Sequence, residues 1–200
     1  MDPKEIYKKL ASNNFKMFLR GDIVLTNNIE SKIASLIRFR AKLKGNKAYC
    51  NHEEMYLMNG KCIGANKKVE IGDLSRFFTG KHEVYIFRDT TLSNEDRNSL
   101  VIEAIRYYGK MYDSLGIVWQ ALDAITFSNF FSKTFNKDIF CYCSEYIQRA
   151  YFNALQRNPS ISDVGCGTPN DSFIYKCFSS DFKCIFMMKK NDSGKWERFV

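Results

Sequence analysis

The sequence predicts an α+β fold, a small and mostly antiparallel sheet packed against helices. Three observations carry that expectation. Short apolar runs bounded by turn residues, among them Ile23-Val24-Leu25 and Val84-Tyr85-Ile86-Phe87, have the length of buried strands. The Asn59-Gly60 pair between residues 55–58 and 62–65 is a hairpin signal. Apolar residues recur with helical period after Ser93 and after Cys143. In 200 residues there are 3 prolines and no Gly/Ser-rich linker, so one domain is expected over residues 1–200. Residues 1–19 would be a helical N-terminal extension of that domain and residues 189–200 a charged tail.

The elements follow in order. Residues 2–19 suit a helix, with Ile6, Leu10, Phe15 and Phe18 on one side. Gly21-Asp22 turns the chain into the first strand. Residues 29–43 suit a helix running into an exposed basic loop. A strand-like run begins near His52, and after the hairpin Val69-Glu70-Ile71 continues the sheet. Residues 73–78 form a helical turn. Ser93-Asn94-Glu95-Asp96 resembles a capping box, and the helix it opens would turn Leu100, Val101, Ala104, Ile105, Tyr108 and Met111 toward the core. A further helical stretch is expected from Leu115. From Cys143, residues Tyr146, Ile147, Ala150, Tyr151, Ala154 and Leu155 share one side, and Gln148, Arg149, Asn153 and Arg157 the other. Thr168-Pro169 reads as an N-cap with proline at the first helical position. Residues 184–188 are the last apolar strand.

Composition narrows the function classes. The most apolar stretch, residues 115–131, includes Asp123. A carboxylate near the centre of a spanning helix costs ~2.5–3.5 kcal/mol on insertion scales, so no transmembrane segment is expected. The first residues lack a run of signal-peptide length, and the 7 cysteines form no disulfide-like framework. The expected compartment is reducing and cytoplasmic. Part of the net charge of +8 lies in Arg38, Arg40, Lys42, Lys44 and Lys47. Such a cluster can contact an anionic surface, or it can be an ordinary solvated loop. No nucleic-acid-binding signature accompanies it, so nucleic acid is not the expected partner.

Cys143 stands where a helix begins, and His52 lies far upstream at the head of a strand. A thiolate is the nucleophile in cysteine chemistry. A free thiol has a pKa of about 8.5, which a helix N-terminus or a neighbouring imidazolium lowers to roughly 3.5–7.5. The same helix start offers a backbone N–H to an oxyanion, and losing one such donor costs ~10²–10³ in rate. On residue type alone, Cys143 is equally a small core hydrophobe and His82 an equally good base. Glu145, in the first turn, suits the helix dipole rather than catalysis. Cys141-x-Cys143 and Cys177-(x6)-Cys184 lack zinc-finger spacing, so neither a metal nor another cofactor is expected. Ser144 lacks the Gly-x-Ser-x-Gly elbow of serine hydrolases.

Taken together, six segments resemble the YiiX-like branch of the NlpC-type superfamily, the circularly permuted papain-like cysteine hydrolases. They are Gly21-Asp22-Ile23-Val24, residues 52–60, Val84-Tyr85-Ile86-Phe87-Arg88, residues 109–113, Cys143-Ser144-Glu145-Tyr146-Ile147 and Thr168-Pro169-Asn170-Asp171. The resemblance implies a papain-like fold, Cys143 as nucleophile and His52, rather than His82, as its base. Tyr112 resembles a tyrosine that members place near the oxyanion. The family's imidazole-orienting residue, often Glu, falls here on Gly64, so Asn66, Glu54 or a backbone carbonyl must substitute. Glu53 and Glu54 also replace the small apolar residues usual after the histidine.

The resulting expectation is a cysteine hydrolase of amidase, peptidase or lipid-esterase type. Its substrate would be a small-molecule, peptide or lipid-like acyl compound. Two alternatives stay beside it: a ligand-binding module of the same fold with weak or no turnover, and an acyltransferase using the same Cys/His pair.

Overall fold

The structure is a computed structural model, and it describes residues 2–28, 49–112, 140–141, 143–161, 168–191 and 193–199. Helix α1 (Pro3–Ser12) leads into β1 (Ile23–Asn28), β2 (His52–Met58), β3 (Lys61–Ala65) and β4 (Val69–Asp73). A 3-10 turn (Leu74–Phe77) precedes β5 (His82–Asp89) and helix α2 (Asn94–Arg106). Two short strands, β6 (Met111–Tyr112) and β7 (Phe140–Cys141), pair in parallel. Helix α3 (Cys143–Leu155), helix α4 (Pro169–Phe178), β8 (Phe182–Lys190) and β9 (Trp196–Phe199) complete the chain. The main sheet has 7 antiparallel strands in the order β4-β3-β2-β1-β5-β8-β9.

Both faces of this sheet are covered, which is why β1 is apolar without alternation at its start. Ile23, Leu25, Met55, Ile63, Tyr85 and Phe87 pack with Leu100, Ala104, Tyr146 and Phe173 of the helices. The alternate residues, Val24, Tyr56, Cys62, Val84 and Ile86, meet Ile6 and Leu10 of α1 together with Phe15, Phe18 and Phe186. Strand periodicity thus divides the core into two layers.

Several motif residues are structural. Arg88 donates to both oxygens of Asp22, Nε at 3.0 Å and Nη2 at 2.7 Å, while the Leu19 N–H donates to Asp22 at 2.8 Å. Gly21, at φ +81°, supplies the left-handed turn that delivers Asp22 there. Ser93 and Thr168 both form reciprocal capping boxes, with Asp96 and Asp171. Asn59 and Gly60 take positive φ, the backbone a two-residue hairpin needs.

Four expectations need correction. The first helix stops at Ser12, because Asn14 and Phe15 adopt φ of 49° and 53° and turn the chain. Phe15 and Phe18 still reach the core, from that turn. Ile105, Tyr108 and Met111 are exposed, because α2 ends at Arg106 and its inner side carries Arg97, Leu100 and Ala104. Gln148 is buried rather than on an outer face. Within the charged tail, Trp196–Phe199 is a strand paired with β8, the Lys190 and Lys189 ammonium groups lying over Trp196 and Phe199. The basic residues Arg38, Arg40, Lys42, Lys44 and Lys47, the helical expectation for 29–43 and the apolar stretch 115–131 lie outside the described residues. Among the described residues, no helix is long and apolar enough to cross a membrane.

Candidate active site

Cys143 is the first residue of α3, and α3 packs against β2 and β3 through Tyr146, whose hydroxyl donates to the Ile63 carbonyl. His52 is the first residue of β2, held to β1 opposite Thr26. The residue before it is fixed as well. Asn51 donates to the Asn27 side chain at 2.7 Å and to the Asn28 carbonyl at 3.1 Å. A helix start and a strand start are thereby brought to one end of the sheet. The His52 imidazole hydrogen-bonds to Glu54 there, and the Cys143 sulfur lies near enough to act on its ionisation.

The contact with Glu54 runs from Nε2 to Oε1 at 2.7 Å. With Nε2 committed, the nitrogen left for the sulfur is Nδ1. Burial alone would push the imidazole toward neutrality. The interactions with Cys143 and Glu54 outweigh it and raise His52 from 6.5 to about 10. Glu54 shifts the other way. Its burial favours the neutral acid, but His52 and Arg76 hold it below the ordinary carboxylate value. Cys143 is 1% exposed, whereas the His52 side chain keeps 16% of its surface open, so the accessible edge belongs to the imidazole.

Gly64 explains how a carboxylate reaches that ring from the histidine's own strand. Gly64 is the direct cross-strand partner of Glu54. A β-carbon at Gly64 would lie 2.4 Å from the Glu54 Cγ and 2.5 Å from its Oε1. The carboxylate occupies the space a side chain would have filled. The position expected to carry an orienting group is therefore empty so that a neighbour can lie over it. Asn66, the other candidate, is exposed in the β3–β4 turn.

One contact was not anticipated from sequence. Arg76 Nη2 donates to Glu54 Oε1 at 2.6 Å and to Oε2 at 2.5 Å. It comes from the 3-10 turn, whose next residue, Phe77, lies 6.0 Å from the His52 ring and 5.5 Å from His82 between centroids. An arginine close to a short helical turn gave no signal in the sequence beyond its charge. His82 stands beyond Phe77, opposite Asn28, and His52 is the histidine at the sulfur.

The remaining candidates are placed as follows. Tyr112 pairs in register with Cys141, so its backbone runs beside the segment entering α3. Glu145 is buried and paired with Arg149 at 2.9 Å, one helical turn on. Glu53, pointing to the opposite face from Glu54, accepts from Ser172 Oγ at 2.7 Å and from Lys176 Nζ at 3.2 Å. Those two bonds fasten α4 to the histidine strand. Asn170 accepts the Tyr49 N–H at 2.7 Å beside them.

No family model matches the chain, and neither does any curated protein. Among solved structures it is similar to metalloprotein YiiX of Escherichia coli O157:H7. The TM-score is 0.58 at 18% identity, over 82% of this chain and 94% of that one. That likeness shows the architecture: the chain has an α+β fold like that of YiiX.

Proposed function

We propose that the protein is a papain-like cysteine hydrolase in which Cys143 attacks an acyl carbonyl, His52 moves the proton and Glu54 orients the imidazole. The single observation that carries this reading is the His52 ring held by Glu54 at 2.7 Å beside Cys143 at a helix start. It is supported by the resemblance of six sequence segments and by the YiiX-like fold. The chemistry follows from the pair. The Cys143 sulfur bonds to the carbonyl carbon while the first backbone N–H groups of α3 face the developing oxyanion. His52 gives its proton to the departing amine or alkoxide, leaving a thioester on Cys143. Water then adds to that thioester, His52 takes its proton, and the sulfur departs with the acid released. Tyr112 is the proposed further oxyanion group, and the substrate is an amide or ester of acyl type.

YiiX is described as a metalloprotein, and the donor set here does not suit a metal. Among the described residues no three His, Cys, Asp or Glu are grouped to hold an ion. Glu54, the natural ligand beside His52, already receives the Arg76 cation on both oxygens. No step is routed through one.

A second reading, a binding module with little turnover, is favoured by the covered sulfur of Cys143. Incubation with p-nitrophenyl acetate separates the two. The hydrolase reading predicts nitrophenolate release and one acetyl group on the Cys143 peptide, detected by mass spectrometry. Both would be absent in Cys143→Ser and about a hundredfold slower in His52→Ala, the lower end of the usual contribution of a general base of about 10²–10⁴. An unmodified Cys143 peptide with steady background hydrolysis in all three proteins would remove the hydrolase reading.

A further inference from the structure

The Glu54 carboxylate has no direct path to water, and the group that holds it in place is a guanidinium from outside the strand pair. Arg76 reaches it across β3 and β4, and its own path is also cleared by a glycine. A β-carbon at Gly72 would stand 1.8 Å from Arg76 Nη1 and 2.6 Å from its Cζ. Gly64 and Gly72 lie on neighbouring strands, on the same face as Glu54, since Gly64 pairs with Glu54 and Gly72 with Cys62, itself opposite Tyr56. Two missing side chains thus form one trough, with Glu54 at its inner end and Arg76 at its mouth. The turn that carries Arg76 is tied down, because the Leu74 N–H donates to the Gly60 carbonyl at 2.7 Å. Nothing about packing requires a charged pair in that trough. Two side chains of ordinary size at 64 and 72 would fill it, and buried ion pairs are weak sources of stability.

We infer that Arg76 is a positioning residue for the Cys143–His52 pair, acting through Glu54 along the trough that Gly64 and Gly72 leave open. This rests on the thiol-hydrolase reading and adds a fourth member to its machinery. Arg76 does two things to Glu54. It neutralises a carboxylate that burial would otherwise protonate, and it fixes both oxygens so that one faces His52 Nε2. An unfixed carboxylate could rotate away or take a proton, and the imidazole would lose its partner. The other titratable group on the face of Glu54 is Cys62 of β3, with Glu70 near Arg76, while Tyr146 of α3 packs on the opposite face of the sheet. None of these three supplies a cation.

A structural role and a positioning role give opposite signs in one experiment. As a mere neighbouring cation, Arg76 would repel a proton from His52, so removing it would raise the imidazole's titration midpoint. As the clamp on Glu54, its loss would lower it. The chain has 2 histidines, so nitrogen-15 labelling of histidine and NMR titration resolve His52 with His82 as internal reference. The variants are Arg76→Gln, Arg76→Lys and Gly72→Ala, the last displacing the guanidinium by sterics without altering any charge. The clamp predicts that the His52 midpoint falls by about one unit or more in Arg76→Gln and in Gly72→Ala, with His82 unmoved. Because one nitrogen, Nη2, reaches both oxygens, the Arg76→Lys ammonium would recover part of the shift.

A His52 midpoint in Gly72→Ala equal to wild type, or higher, overturns the assignment, and this variant decides if Arg76→Gln fails to fold. The two readings also fail separately. If Cys143 modification in the wild type ignores His52 while the midpoint still falls in Gly72→Ala, the hydrolase reading is lost and the clamp stands as a feature of the imidazole alone.

Discussion

Gly64 is worth most attention at the scale of single residues, because its absent side chain determines where a carboxylate can lie. A methyl group there would meet Glu54 Cγ at 2.4 Å and Oε1 at 2.5 Å, well inside van der Waals contact, and Glu54 is fully buried. Gly64→Ala should therefore either expel Glu54 from the ring of His52 or spread β2 from β3. Overpacking of this kind costs about 1–3 kcal/mol, visible as a lower urea midpoint at pH 7. Cys143 alkylation should slow along with it. A Gly64→Ala protein as stable and as reactive as wild type would show that the space is not needed. The sequence singled out Cys143, His52 and the vacancy at position 64 as candidates, and it left Asn66, Glu54 and a backbone carbonyl as rivals for orienting the imidazole. What decides between them is cross-strand register, a tertiary fact: Glu54 faces Gly64 directly, while Asn66 lies past the end of β3 in an exposed turn. Arg76 was not legible at all, since a lone arginine in a short turn has no periodic or motif signature.

Among the elements, β2 divides its two acidic residues between opposite faces, each serving a different neighbour. Glu54 goes to His52 and Arg76, and Glu53 to Ser172 and Lys176 of α4. Lys176 and Glu53 are both fully buried. Burial pushes the Lys176 ammonium below its ordinary value and the Glu53 carboxyl above its own, against their mutual attraction. Breaking such a pair strands one charge. Lys176→Met alone is expected to cost about 3–5 kcal/mol in chemical denaturation. Lys176→Met with Glu53→Gln should recover most of that loss. Equal stability of the single variant and wild type would mean that α4 is not fastened to the histidine strand through this pair. Capping signals located α2 and α4 from sequence, because Ser93 and Thr168 bond within three residues of themselves. The end of α1 was not legible: Phe15 and Phe18 keep helical spacing, yet left-handed Asn14 and Phe15 have already turned the chain.

For the whole molecule, the sheet is what makes two distant residues neighbours. A sheet of seven antiparallel strands, covered on both faces at its centre, leaves one end where β2 begins, and α3, packed across β2 and β3, begins at the same end. The α+β class and the antiparallel sheet could be read from turn residues and run lengths; the order β4-β3-β2-β1-β5-β8-β9 could not, because it depends on which apolar faces find each other. The likeness to YiiX is one of architecture at 18% identity, so the function rests on the site itself. The most direct test is the pH dependence of iodoacetamide modification at Cys143 in wild type and His52→Ala. His52, raised from 6.5 to about 10, keeps its proton across the neutral range, so its imidazolium should still accompany the sulfur at pH 6. At pH 6 wild type is expected to react at least tenfold faster than His52→Ala, the gap narrowing as the pH rises to 9. Two superimposable profiles, both rising like a free thiol, would contradict the pairing of Cys143 with His52.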